Sequence, residues 1–421
     1  MKNISTFLVS LAVFGLSISS VWAQKPVTID VSKLGGEDNE GNWSIPDESH
    51  WNCDGNALHL QTENGQYTLT GTNTNLIVLV NADMNVTLNN VTIAVVGTAS
   101  NTCLITLIGS NTLNTFRSDS ICTITSNTNG SLTGIKPDHR SFEIYGTFSI
   151  TGNATVSAIS NHATESGMLV STWGNTTINI GANATLNVTG RYTGLQVFSG
   201  YAFTLNCDGS AVIKASTLIG MSGGSGSTPV TITGKGTVSI EGEQYGFYTN
   251  NGSLAVEDCN VTISGEREVS IYTNNNIKMN DAAKLTIKSG TGETHKFEKS
   301  NVASTYKWKL TNATTSDPLT NAAINVTVDA GQTGKVERTT GTGIDEWIME
   351  KEEWIIYPNP VDDRLNFSIE TPYEITDLQG RSLLKSDKAV KSVNITGLPS
   401  GTYFVIVNTE TGKTVKKIIK K

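Results

Sequence analysis

Lys136-Pro137-Asp138-His139-Arg140 is the one place in this 421-residue chain where acid, base and cation crowd together, on a loop between strand-like runs. Those types suit elimination from an acidic polysaccharide. His139 would abstract the proton beside a carboxylate, and Lys136 and Arg140 would neutralise that carboxylate. The plainer reading is a solvated Pro-Asp turn that ends a strand. A second set is Asp208, Asp258 and Asp281, which fall at comparable turns and could align carboxylates for Ca²⁺, a hard cation that takes oxygen ligands. Lys235 breaks that column, which leaves Asp258 and Asp281 as the metal candidates, against turn duty in which each Asp caps its own backbone. A third set is aromatic. Trp173, Tyr192, Tyr245 and Tyr272 would bind a glycan if their rings face solvent, because ring faces pack on sugars. No Ser-His-Asp order, phosphate loop or zinc spacing occurs. No cofactor is required by these residues, and Ca²⁺ is the only ion they suggest.

The element that must position them is a repeat. Tyr248-Thr249-Asn250-Asn251 returns as Tyr272-Thr273-Asn274-Asn275, and the strand anchors Ile178, Phe203, Val230, Leu254 and Ile277 lie 23–27 residues apart. A period of that length, built of alternating apolar residues and Gly/Asn turns without helical spacing, predicts a right-handed parallel β-helix over residues 76–290. Each coil holds about three short strands. Ile232, Val256 and Met279 should point inward, Tyr248 should lie over Tyr272, and Asn250 over Asn274, since like residues stack in register. Roughly eight or nine coils at about 4.8 Å each make a rod about 40 Å long.

Residues 24–75 read as the N-terminal cap, with Trp43 and Trp51 either covering the open end of the core or offering a sugar platform. Residues 291–330 read as the C-terminal cap, residues 331–354 as a Gly- and Thr-rich linker, and residues 355–421 as the short strands of a small Ig-like β-sandwich. Forty glycines with 37% hydrophobic and 16% charged residues fit an all-β chain with an ample core. A net charge of −8 argues against nucleic acid, which needs a basic surface. Residues 1–23 form a secretory signal peptide: Lys2, an apolar run over residues 7–18, then Val21-Trp22-Ala23. Export through the periplasm follows from it. No later run reaches the roughly 20 apolar residues of a membrane helix. The five cysteines lack CxxC spacing and read as small buried residues, with a Cys103–Cys122 disulfide across adjacent coils as the alternative.

Ile356-Tyr357-Pro358-Asn359-Pro360, Ile375-Thr376-Asp377-Leu378-Gln379-Gly380, Ile395-Thr396-Gly397-Leu398-Pro399-Ser400-Gly401-Thr402-Tyr403 and the basic tail 413–421 resemble the type A C-terminal sorting domain of the type IX secretion system. That resemblance implies partnership with the secretion machinery, transfer to the outer membrane, and removal of the module by a cysteine-peptidase-type sortase. Attachment to the cell surface or release would follow. Asp119-Ser120-Ile121 resembles the minimal acceptor for protein O-glycosylation in the same phylum. More loosely, the stretches 29–35, 67–71 and 87–93 resemble secreted β-helix proteins described as carbohydrate-binding. This implies an extracellular polysaccharide partner, acidic and Ca²⁺-assisted. The expectation is therefore an exported glycan-binding protein or adhesin, with a polysaccharide lyase or hydrolase on the same scaffold as the alternative.

Overall fold

The computed structural model describes residues 26–34, 51–54, 56–61, 64–98, 102–171, 174–198, 201–223, 228–300, 306–340, 356–409 and 412–421. They fall into two compact units divided between Gly341 and Thr342.

Through the body of the first unit the strands pair in parallel with their counterparts one coil away, the antiparallel exceptions being the hairpin of Trp51–Asp54 with Ala57–Leu60 and the pairings that end the solenoid. Leu205 lies between Ile178 and Ile232, Ile240 between Ile213 and Ile263, and Phe247 between Met221 and Ile271. These three columns belong to three sheets, called here the first, second and third, and the chain visits them in turn through about 10 coils. Parallel pairing is already present at Val27–Asp30, which lies on Tyr67 to Thr70. Alternation decides the facing, as strand geometry requires. Ile232, Val256 and Met279 are fully buried, as the repeat predicts, while the Thr, Asn and Ser between such residues face outward. Phe116, Phe142 and Phe148 fill the middle of the core with ring centroids 5.1–6.5 Å apart.

Two kinds of corner turn the chain. Between the first and second sheets, Gly71, Asn90 and Gly109 take left-handed φ values of 92°, 54° and 64° in successive coils, a conformation that Gly and Asn adopt at least cost. This explains the Gly/Asn grammar of the sequence. Between the second and third sheets the backbones approach so closely that a Cβ on Gly246 would sit 2.5 Å from Ile263 Cγ2 and 2.8 Å from the Ser264 carbonyl. Gly194 and Gly220 occupy the same place in the two preceding coils.

The solenoid ends in antiparallel pairing. Glu293–Lys299 joins Ala323–Val328, and Thr333–Thr340 lies between Lys284–Ser289 and Tyr306–Thr311. Residues 333–340 are thus a strand where the sequence suggested linker: Val336 and Arg338 turn inward at alternate positions and are buried. Glu293 finishes the third sheet. Its carboxylate accepts from the N–H groups of Ser270 and Ile271, at 3.1 and 3.0 Å, in place of a further strand.

Cys103 and Cys122 face each other across adjacent coils, but the expected alternative of a disulfide is not realised. Both thiols are free and buried, as are those of Cys207 and Cys259, while Cys53 is partly exposed. Parallel in-register strands keep side chains about 4.8 Å apart, wider than the Cβ separation a disulfide prefers. The Cys103 sulfur beside it, as acceptor for its proton, and after that burial push the Cys122 thiol well above its ordinary value.

The second unit is one five-stranded antiparallel, barrel-like sheet around its own core of Leu365, Phe367, Ile375, Val405 and Ile418, among others. Where the sequence suggested short strands, Arg364–Thr376 and Ser382–Asn394 are long and bend at register shifts around Thr371 rather than at turns. A bulge re-aims a strand without ending it.

Candidate functional site

The outward column of the third sheet runs in register through Arg117, Glu143, Leu169, Gln196, Ser222, Tyr248 and Tyr272. Its two ends differ in chemistry. The early coils carry charge and the late coils carry rings.

At the aromatic end, Tyr248 and Tyr272 stack with centroids 4.8 Å apart and planes 11° from parallel. Tyr245 closes on both, at 5.4 Å from Tyr248 and 5.7 Å from Tyr272, the latter edge-on. Tyr272 is 36% exposed and the other two are half-buried. The cluster forms because coil stacking puts Tyr248 on Tyr272, while the glycine corner lets Tyr245 enter the sheet three residues earlier. The Glu268 carboxylate, and after it burial, pushes the Tyr245 phenol up to about 12. Tyr192 is 38% exposed and precedes Thr193, which stacks on Ile219 and then Tyr245, so it lies two coils away, roughly 10 Å. Phe198, at 60% exposure, stands on the same strand as Thr193. The structure therefore brings Tyr245 and Tyr272 together and sets Tyr192 apart from them. Trp43 and Trp173, and the side chain of Trp51, lie outside the described residues. Sequence reasoning missed Phe198 and used Tyr248 only as a stacking residue. Strand alternation would have found Phe198, because Leu195 and Val197 are inward and leave Gln196 and Phe198 facing out.

At the charged end each cation already holds a carboxylate. Lys136 Nζ is 3.2 Å from Asp138. Arg140 is 2.6 Å from Glu165 and 3.7 Å from Glu143. Arg117 lies 2.8 Å from Asp119 and 4.7 Å over the Tyr145 ring, and the Tyr145 hydroxyl donates to Glu143 at 3.3 Å. His139 is exposed, and its carbonyl, not its ring, is engaged, accepting from Ser160 Oγ at 2.7 Å. Neutralising a substrate carboxylate here would require breaking these pairs.

The three aspartates serve other partners. Asp208 accepts from the Lys235 N–H at 3.0 Å. Asp258 sits at a left-handed corner with φ 55° and exchanges two hydrogen bonds with Asn280, at 2.9 and 3.0 Å. Asp281 lies 2.8 Å from Arg338, whose side chain is fully buried. Among the described residues no cluster of three or more His, Cys, Asp or Glu has metal-binding geometry.

Residues 355–421 match the family of secretion system C-terminal sorting domains. Among solved structures the chain is similar to PorZ, an essential bacterial surface component of the type-IX secretion system of Porphyromonas gingivalis. The identity is 20% and the TM-score 0.15, over 22% of this chain and 14% of that one, a small part of that protein's length. No match was found among curated proteins. The tail makes the chain a substrate of type IX secretion, with the machinery as its partner and the cell surface or extracellular space as its destination. Among the described residues no helix is long and apolar enough to cross a membrane.

Proposed function

We propose that the exported solenoid binds extracellular polysaccharide along its third sheet and does so without cleaving it. The observation that carries this reading is the Tyr245–Tyr248–Tyr272 cluster, a ring surface that reaches solvent on a rigid sheet. Aromatic faces held in fixed geometry lose little entropy when a sugar stacks on them. Tyr192 and Phe198 extend the surface toward the earlier coils. The alternative, elimination at Lys136, His139 and Arg140, is weakened by the ion pairs that occupy both cations.

A glycan array probed with the full-length chain tests the reading, followed by titration of any hit with the Tyr272→Ala variant. Loss of a well-packed aromatic anchor should weaken binding at least about tenfold. Growth of ultraviolet absorbance on incubation, abolished in His139→Ala, would replace binding by elimination. Silence on every glycan, with or without Ca²⁺, would leave a plain structural adhesin.

The route outward belongs to the same proposal: removal of residues 1–23 at the inner membrane, periplasmic transit, then sortase removal of the module from about residue 340 onward.

A further inference from the structure

We propose that the last three strands of the second sheet form a further binding surface, one that takes polysaccharide bearing carboxylate or sulfate groups. It lies on a different sheet from the tyrosine cluster and does not depend on that site.

Strand register builds the surface. Lys284–Ser289 pairs with Thr333–Thr340, which pairs in turn with Tyr306–Thr311. Leu285, Ile287, Val336, Arg338 and Trp308 are buried, so the residues alternating with them face outward. Lys284, Lys288, Lys309 and Lys335 are all outward and exposed. Lys284, Glu337 and Lys309 lie abreast across the three strands, and Thr286, Lys335 and Thr311 lie abreast in the next outward row. Lys335 therefore has Lys284, Lys288 and Lys309 as its diagonal neighbours, about 7–8 Å away.

The coils before this point match cation with acid, and the match then stops. One outward column runs Lys214, Glu241, Ser264, Lys288 and Thr333, and in it Lys214 holds Glu241 at 2.8 Å. Lys288 has a serine on one side and a threonine on the other. Asp281 is held by the buried Arg338 at 2.8 Å, and Asp329 lies before Thr333, outside the paired strands. Among the described residues Glu337 is the only acid on this face, and neither it nor any of the four exposed lysines forms an ion pair. Four such ammonium groups on a rigid sheet, in a chain of net charge −8, give a local positive field that an anionic polymer would neutralise.

The surface is flat, with Thr286 and Thr311 beside Lys335 to hydrogen-bond sugar hydroxyls. That suits an extended polysaccharide whose acidic groups recur along it. No outward residue of these strands carries a ring, so unpaired bases have nothing to stack on, and the acidic remainder of the chain repels a long nucleic acid.

The test is calorimetry of the full-length chain with polygalacturonate, heparin, dextran, polyglutamate and an oligothymidylate. Binding of polygalacturonate or heparin, weakening as salt rises, is expected, with dextran much weaker. Each exposed ion pair is worth only a few-fold in affinity, so Lys309→Gln with Lys335→Gln should weaken the anionic polysaccharide about tenfold and flatten its salt dependence. Both side chains are exposed, so the melting temperature should not move. Glu337→Gln, which removes the one repelling carboxylate, should tighten binding, and Tyr272→Ala should leave it unchanged. No binding of either anionic polysaccharide at low salt would overturn the inference, as would binding that the double variant leaves intact. Polyglutamate or oligothymidylate bound more tightly than both would assign the surface to an acidic protein or to nucleic acid and overturn the choice of polysaccharide. A signal lost in Tyr272→Ala and kept in the double variant would place anionic binding at the tyrosine cluster, which overturns this surface while the earlier proposal stands.

Discussion

Arg338 is buried near the end of the solenoid with no side-chain exposure, its guanidinium 5.1 Å over the Trp308 ring and 2.8 Å from Asp281. Removing the carboxylate of such a pair costs more than the pair contributes, because the guanidinium stays buried. Asp281 is partly exposed, so water screens part of the loss, and Asp281→Ala should destabilise by about 2–3 kcal/mol, read as a shift in urea midpoint. The aspartate suggested as a calcium ligand thus has a structural duty that a variant can measure. Glu293 offers a second residue-scale test. Burial alone pushes its carboxyl up, but the bond and charge of His295 at 2.7 Å and the N–H groups of Ile271 and Ser270 outweigh that and hold it below 4.5. A lowered folded value contributes stability that is fully present above the unfolded value and is lost as pH falls through the folded one. Urea midpoints should therefore hold steady from pH 7 to pH 5 and decline below about pH 4.5. Glu293→Gln should lower the midpoint at pH 7 and flatten the acid decline; an unchanged decline would remove Glu293 as its cause.

Coils persist because each corner has its own steric rule, and the second-to-third corner permits a sharp test. Gly246→Ala drives a methyl into Ile263 Cγ2 and a carbonyl, an overpacking that should cost about 1–3 kcal/mol in thermal or urea melts. Gly397→Ala, with open space around its Cβ, should leave its unit unchanged. Equal effects at the two would mean that the close approach of the backbones is not what selects glycine. At this scale the sequence was readable wherever a strand repeated its neighbour: Tyr248 over Tyr272 and the inward Ile232, Val256 and Met279 follow from period and alternation alone. It was unreadable where pairing turned antiparallel. Thr333–Thr340 has Gly and Thr at its start and end, and only its contact with Lys284–Ser289 shows that Val336 and Arg338 are core. The stacking of Asn250 over Asn274 was half legible: the coils align, yet Asn274 Nδ2 donates to the Asn250 main-chain carbonyl at 2.9 Å, not to its side chain. True amide stacking is found instead on the first sheet, where Asn206 Nδ2 donates to Asn179 Oδ1 at 3.2 Å. The candidate site was legible as residue types but not as neighbours. Tyr245 joins the other two tyrosines only because a glycine corner, Gly242 to Gly246, admits it.

The whole molecule is two units with separate hydrophobic cores: the solenoid core ends at Val336 and that of the sorting domain begins at Ile356. Among the described residues the two clusters share no member, and apolar burial is the dominant favourable term in the stability of each unit. A chain ending at Gly341 is thus expected to melt at the same temperature as the solenoid transition of the full-length protein, and a fall of more than a few degrees would show that the units support each other. An unchanged melting temperature is what the proposed removal of the sorting domain requires, because the solenoid would have to keep its fold without it. Intact mass of protein recovered from the native cell surface then decides the export proposal: a species lacking residues 1–23 and everything beyond about residue 340 is expected. Material that still contains Pro358 to Lys421 at the surface would mean that the sorting domain is retained there, and sortase cleavage would have to be abandoned.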